Sequence, residues 1–159
     1  MRDLRLPLLV TLAVIGVLAE SAGLLAQDFD RPPIRYSEST PANAISRLQE
    51  RLDSGQTKLT HDPAHGYLVS VLKALDVDID SQTLVFSKSS VQARYISPQT
   101  PRAIYFSDDV YVGWPQSGNA LEISAVDPQL GTVFYTLDQS PTDNPKFTRQ
   151  GEACLNCHS

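Results

Sequence analysis

The sequence has few cysteines and only a small excess of one charge. Of its 159 residues only two are cysteine, Cys154 and Cys157, and they lie three apart in the chain. A disulfide between them would close too short a loop to stabilise a fold, so a disulfide-built scaffold is excluded. The 13 Lys and Arg residues are outnumbered by 18 Asp and Glu. No basic run follows Arg5, so nucleic acid is not an expected partner.

The first 26 residues have the composition of an export signal. Arg2 and Arg5 precede an uncharged apolar run over residues 6–19, which is the length of the apolar region in a signal peptide. Glu20 follows this run, which disfavours a longer membrane-spanning segment. We therefore expect residues 1–26 to direct export to the periplasm and to be removed. A membrane anchor is expected only if they are retained.

The next part of the chain divides into a lead-in and the start of a domain. Residues 27–41 are polar, contain two adjacent prolines and show no hydrophobic periodicity, so they are predicted to form an extended, exposed lead-in. Apolar residues at helical spacing follow over residues 40–55 and again over residues 63–75, each after a helix-start signal that includes proline. Two short N-terminal helices are therefore predicted at the start of a domain that spans residues 42–140.

After the second predicted helix the pattern changes to short runs rich in β-branched and aromatic residues. Asp-containing and Gly-containing turns separate several of these runs, which favours antiparallel hairpins over βαβ crossovers. The predicted fold class is therefore α+β, with an antiparallel β-sheet of about five to six strands. The runs cover residues 83–87, 91–96, 103–106, 110–114, 120–126 and 132–137.

Aromatic side chains recur through the predicted strands. They are expected to pack on the two faces of the sheet, and some could wall a cofactor, although their spacing does not say which. The series is Tyr95, Tyr105, Phe106, Tyr111, Trp114, Phe134 and Tyr135.

The most informative pattern lies within residues 141–159, otherwise predicted to be irregular. Cys154, Cys157 and His158 form the CxxCH pattern of covalent haem c attachment. Two thiols at this spacing can add to the two vinyl groups on one edge of a haem, and the adjacent imidazole can then bind the iron. The pattern resembles the attachment segment of c-type cytochromes, which implies haem c, two thioether bonds and His158 as the proximal iron ligand. An export signal agrees with this, since such haem attachment takes place outside the cytoplasm.

The second axial ligand is a separate question. The only methionine is Met1, which would be removed with the signal, so Met/His ligation from this chain is excluded. His61 and His65 remain as distal candidates. The alternative is that His61 belongs to a turn and that His65 is a solvent-facing helix residue. A competing hypothesis combines these two histidines with Cys154 and Cys157 in a Cys2His2 zinc site, but it leaves His158 unexplained.

A wider resemblance extends over about residues 55–159. The segments 84–90 and 101–114, together with the terminal Cys-Leu-Asn-Cys-His, resemble a family of exported bacterial proteins known only as containing cytochrome c domains. That family has no established activity, and its chains continue well beyond the CxxCH pattern. The resemblance therefore implies that this sequence is an N-terminal fragment of a longer cytochrome.

The favoured hypothesis is an exported c-type cytochrome that exchanges single electrons with redox partner proteins. One alternative is a haem enzyme of the peroxidase type, which would need an open distal position and an acid/base group beside it. Another is a module that binds a ligand or a protein partner and carries the haem secondarily. The sequence favours electron transfer over catalysis because no acid/base group can be named.

Overall fold

A computed structural model describes residues 30–151 and 154–155. Two α-helices, α1 (Ala44–Asp53) and α2 (Leu68–Leu75), precede a six-stranded antiparallel sheet. The α+β class is therefore confirmed, but the helices begin well inside the chain rather than at its N-terminus. Within the described residues, no helix is long and apolar enough to span a membrane. The strands are β1 (Thr83–Val85), β2 (Arg102–Phe106), β3 (Val110–Pro115), β4 (Ala120–Asp127), β5 (Gly131–Asp138) and β6 (Phe147–Gln150).

Helix α1 starts later than the sequence pattern suggested because Asn43 is its N-cap. The Asn43 side chain accepts hydrogen bonds from the amides of Ile45 and Ser46, and the Ser46 hydroxyl accepts one from the Asn43 amide. These contacts satisfy amides that the first helical turn leaves without partners. Asn43 is buried and its amide group also donates to the Tyr135 hydroxyl at 2.9 Å. The cap therefore joins the helix to β5 as well as starting it.

Helix α2 also begins later than predicted, at Leu68 instead of near residue 63. Residues 62–66 form a closed turn, in which the amides and carbonyls of Asp62 and Gly66 exchange two hydrogen bonds of 2.8 Å. Gly66 has a φ of 60°, a left-handed conformation that favours glycine over residues with a side chain. The turn therefore replaces the first helical turn that the Asp62-Pro63 signal predicts.

The sheet is a meander in which each strand pairs with the next along the chain. Strands β4 and β5 form the longest pairing, from Ala120 opposite Asp138 to Asp127 opposite Gly131. Alternate side chains point to a core that both helices cover, since α1 contacts β4 and α2 contacts β3. Ile45 from α1 and Val71 from α2 meet strand residues such as Val112 in this core. Burial of this face is the main stabilising contribution to the fold.

One predicted strand is wrong. Residues 91–96 lie outside the sheet, and Ala93–Tyr95 form a short 3-10 turn. The buried Gln92 side chain explains the difference, because its carbonyl oxygen accepts from the Asn119 and Ala120 amides at 2.7 and 3.1 Å. Its NH2 group donates to the Ala120 carbonyl at 2.8 Å. A single side chain thus binds the start of β4 in the way that a neighbouring backbone otherwise would.

The sheet also has a strand that the sequence pattern does not predict. Phe147–Gln150, within the segment predicted to be irregular, form β6 and pair with β5. Phe147 packs against the core, while Gln150 donates to the Thr136 hydroxyl at 2.9 Å. Because only one large apolar side chain marks this strand, its hydrophobic pattern is too weak to identify from sequence.

The lead-in is neither fully exposed nor extended over its described part. Residues 30–39 contain several turns, and Tyr36 is buried. The Arg149 guanidinium lies 4.3 Å from the centre of the Tyr36 ring and donates to the Tyr36 and Ser39 carbonyls. A cation over an aromatic face is favourable, and more so when partly desolvated. Strand β6 therefore holds the lead-in against the sheet.

Asp127 joins the start of α1 to the turn between β4 and β5. Its buried carboxylate accepts from the Ala42 amide at 2.6 Å and from the Gln129 and Leu130 amides at 3.0 Å. Burial alone would raise the pKa of Asp127, but these three amides and the charge of Arg149 hold its pKa below the ordinary value.

We expect Asp127→Asn to destabilise the protein by about 1.5–3 kcal/mol at pH 7, since one amide donor would then face an NH2 group. The lowered pKa means that the carboxylate stabilises the fold above the unfolded-state pKa of about 3.9 and stops doing so as pH falls through the folded-state pKa. The difference in unfolding free energy between the unsubstituted protein and Asp127→Asn should therefore become smaller below about pH 4. Urea unfolding of both proteins across this pH range measures this difference.

The exposed Asp108 provides the control for this prediction. Asp108→Asn should leave the urea midpoint at pH 7 nearly unchanged, because surface substitutions usually have small effects. An Asp127→Asn midpoint equal to that of Asp108→Asn would contradict the assignment of a structural role to the carboxylate.

Candidate functional site

The face of the sheet opposite the helices is not covered by either of them. Along each strand its side chains alternate with those of the core. We call it the open face and define it by Arg102, Ile104, Phe106, Tyr111, Gly113, Glu122, Ser124, Phe134 and Thr136.

A cavity of about 460 Å³ lies on the open face, which we call the groove. Its volume falls within the range of about 300–1,000 Å³ that is typical of small-molecule and cofactor sites. The loop at residues 88–91 forms one wall, and Cys154 contributes to the lining. The lining residues are Lys88, Ser89, Ser90, Val91, Arg102, Ile104, Tyr111, Gly113, Glu122, Ile123, Ser124, Phe134, Tyr135, Thr136 and Cys154.

The apolar surface of the groove continues along the open face. A second hollow of about 280 Å³ shares Tyr111, Ser124 and Phe134 with it. The Tyr111 ring is stacked with that of Phe106 at a centroid distance of 5.8 Å, and Tyr111 is 48% exposed. Val91, which also lines the groove, is 58% exposed. Exposed apolar side chains grouped around one groove commonly mark a binding surface.

An ion pair crosses the groove floor above Gly113. Arg102 Nη1 donates to Glu122 Oε2 at 2.5 Å, and the Ser90 hydroxyl donates to Glu122 Oε1 at 2.6 Å. A Cβ at position 113 would lie 3.3 Å from the Arg102 Cδ atom and 3.3 Å from the Glu122 carbonyl oxygen. The absence of a side chain at Gly113 therefore gives the ion pair its room.

Lys88 is a positively charged residue among those that line the groove. Its Nζ atom donates to the carbonyls of Ile96 at 2.5 Å and Ala93 at 3.1 Å. A lysine ammonium has three N–H donors, and these two carbonyls use two of them. The third remains for an acceptor on a ligand, and a carboxylate would be the strongest such acceptor.

A helical turn after β6 brings Cys154 to the groove. The amides of Cys154 and Leu155 both donate to the Gly151 carbonyl, at 3.0 and 3.3 Å. Leu155 packs against the hydrophobic core, while the half-buried Cys154 lines the groove. Cys157 and His158 lie outside the described residues.

The two predicted distal ligands lie on the side of the sheet that carries the helices. His61 Nε2 is 2.9 Å from the Gln139 carbonyl oxygen, and its ring meets the edge of the buried Tyr67 ring. The exposed His65 ring lies 5.5 Å from that of Trp114, whose side chain packs against the core. The structure therefore does not bring either histidine to the groove that Cys154 lines.

The closed turn at residues 62–66, which precedes α2, also holds His65. Asp62 Oδ1 accepts from the amides of His65 and Ala64 and lies 3.0 Å from His65 Nδ1. The amide hydrogen bonds from His65 and Ala64, followed by the His65 ring, lower the pKa of Asp62. These contacts give His65 a structural role in the turn.

The zinc hypothesis finds no support among the described residues. Three of its four ligands, His61, His65 and Cys154, are described, and they do not form a cluster. No group of three or more His, Cys, Asp or Glu side chains suited to a metal ion occurs within residues 30–151 and 154–155.

The site residues predicted from the sequence do not include Lys88, Arg102, Gly113 or Glu122. Two-residue alternation along β2 and β4 could have placed Arg102 and Glu122 on one face, but their pairing across β3 depends on the register of three strands.

Comparison with known proteins found no matching family model, no matching curated protein and no matching solved structure. Inference about function therefore rests on the CxxCH motif and the groove.

Replacing Glu122 alone should lower the unfolding free energy more than replacing both Arg102 and Glu122. Arg102 and Glu122 side chains are only 12% and 15% exposed, so Glu122→Leu leaves a largely buried guanidinium without its carboxylate. We expect a loss of about 3–5 kcal/mol in unfolding free energy, much of which Arg102→Leu should restore in the double variant. Urea unfolding of both variants measures this.

The exposed pair of Arg35 and Glu38, with side chains 60% and 76% exposed, offers the matched control. Glu38→Leu should have little effect, because exposed ion pairs contribute little. Equal losses in the Glu122→Leu single variant and the double variant would show that the ion pair does not govern the stability of the groove floor.

Proposed function

We propose that this chain is an exported c-type cytochrome that transfers single electrons, with haem c attached to Cys154 and Cys157 and with His158 as the proximal iron ligand. The observation that carries the proposal is the CxxCH motif whose first cysteine lines a groove of cofactor size. The signal-like N-terminal sequence agrees with attachment in the periplasm.

Attachment of the haem to the two cysteines would require no added oxidant. Each cysteine thiol adds across one vinyl C=C bond, so that a C–S bond forms, the π bond is lost and the thiol hydrogen moves to the neighbouring vinyl carbon. When bound, the haem supplies an iron that accepts and releases one electron. A donor redox protein delivers that electron and an acceptor redox protein removes it.

The chain's own residues would set the environment of this cofactor. Ile104 and Phe134 present apolar surface in the groove, and the charges of Arg102 and Glu122 largely neutralise each other there. Burial, nearby charge and axial ligation are the means by which a protein tunes a haem potential. An apolar wall with a neutralised ion pair also limits the reorganisation of water around the site.

A second candidate function is a haem protein that binds a small ligand at an open axial position, as a peroxidase-type enzyme or a sensor would. The observation that favours it is that no histidine or methionine is among the residues that line the groove in the described part of the chain. An acid/base group beside the iron is still needed for catalysis, and Glu122 is already bound to Arg102 and Ser90.

The covalent attachment can be tested by periplasmic expression together with the haem-attachment machinery. We expect a haem stain that survives a denaturing gel, and its loss when Cys154→Ser and Cys157→Ser are combined. Colour that disappears on denaturation, or that persists in the double variant, would refute haem c. Zinc in the unsubstituted protein together with an absence of haem would instead favour the Cys2His2 hypothesis.

Axial ligation is tested by the visible spectrum of the reduced protein with and without carbon monoxide. A shift of the main haem band by carbon monoxide would favour the second candidate function, whereas a band that carbon monoxide leaves unchanged would favour electron transfer. Since His61 and His65 lie on the helix-covered side, we expect neither to bind the iron. His61→Ala and His65→Ala should leave the spectrum unchanged, whereas His158→Ala should alter it. A spectrum that is insensitive to carbon monoxide, and that changes in either control variant, would instead identify a distal histidine.

A further inference from the structure

We propose that the open face of the sheet is the seat of the haem, with Tyr111 and Phe134 against its apolar surface and Lys88 paired with a haem carboxylate. This inference rests on the proposed function, and it adds the residues that hold the cofactor apart from the attachment motif.

The first support is the shape and composition of the groove. Ile104, Tyr111 and Phe134 come from β2, β3 and β5 and face the same side of the sheet. Val91, from the loop at residues 88–91, also lines the groove. The Arg102–Glu122 ion pair occupies the space above Gly113, and its two charges largely neutralise each other. The result is a mainly apolar surface without a net charge on its floor, suited to a flat, mainly apolar ligand.

The second support is the position of Cys154. A thioether bond fixes one edge of the haem close to the sulfur atom, so the cofactor must lie against a surface that Cys154 reaches. Cys154 lines the groove, whereas the opposite face of the sheet is filled by the helices. The groove is therefore the surface available to a haem attached at this residue.

The third support is the distribution of charge. A haem carries two carboxylates, which need cationic or N–H partners. Lys88 lines the groove, and its ammonium has one donor left after its two carbonyl contacts. Arg102 is held by its ion pair with Glu122, and Lys88 is the groove's cation without a carboxylate partner among the ion pairs of the described residues.

A haem bound on the open face should shield Tyr111 from solvent. Tyr111 is 48% exposed, whereas Tyr67, Tyr105 and Tyr135 are buried. Nitration with tetranitromethane, mapped by mass spectrometry, should modify Tyr111 readily in the haem-free Cys154→Ser/Cys157→Ser variant and several-fold less in the haem-containing protein. Tyr95, which does not line the groove, is the internal reference and should react equally in both.

A second measurement uses charge near the iron. Tyr111→Asp should lower the midpoint potential because a negative charge stabilises the oxidised, more positive iron, and Tyr111→Lys should raise it. Val69, on α2 and also 48% exposed, is the matched site away from the groove. Val69→Asp should shift the potential much less. Lys88→Gln should lower the potential and Lys88→Arg should restore it.

The outcomes separate this inference from the proposed function. A protein without stable haem refutes both. A second outcome combines a stable haem stain, equal nitration of Tyr111 in the two proteins and the same midpoint potential in Tyr111→Asp and Val69→Asp. This outcome would refute the proposed haem position but not the cytochrome function. In the haem-free variant, protection of Tyr111 against nitration that increases with protein concentration would show that a second copy of the chain covers the groove. This result would also refute the proposed haem position.

Discussion

Burial of one face of the sheet under α1 and α2 determines where the rest of the molecule can lie. The helices have only 10 and 8 residues, and their apolar side chains fill the core against β3, β4 and β5. Within the described residues neither helix covers the opposite face, where Tyr111 remains 48% exposed. A sheet with one covered face leaves a surface that must be polar or must bind something, and the groove region is mainly apolar.

Buried polar contacts around the start of α1 connect this core to the C-terminal segment. Asn43 binds Tyr135, and burial raises the pKa of Tyr135 although the Asn43 hydrogen bond opposes the shift. Arg149 binds the lead-in at Tyr36 and belongs to β6. Since β6 ends at Gln150, the contacts that hold this strand in register also determine where Cys154 emerges. The fold and the candidate site thus depend on the same contacts.

Sequence patterns predicted the middle of the sheet well and its connections poorly. Strands β2 to β5 lie within a residue or two of the predicted runs, because alternating burial gives them a clear period. The loop at Gln92 and strand β6 were missed for a physical reason. Gln92 is fixed by hydrogen bonds to residues about 27 positions away, and β6 is specified by pairing with β5 more than by its own apolar residues. Neither contact leaves a local signal.

The candidate site shows the same division between local and long-range information. The CxxCH motif is contiguous, so the sequence reveals it directly, whereas the groove exists only once β2, β3 and β5 are in register. In the proposed cytochrome the two features would complement each other. A groove on an open sheet face cannot retain a cofactor by enclosure, but two thioether bonds hold it without enclosure. The exposure that makes the groove shallow would then leave the haem edge accessible to a redox partner, which electron transfer between proteins requires.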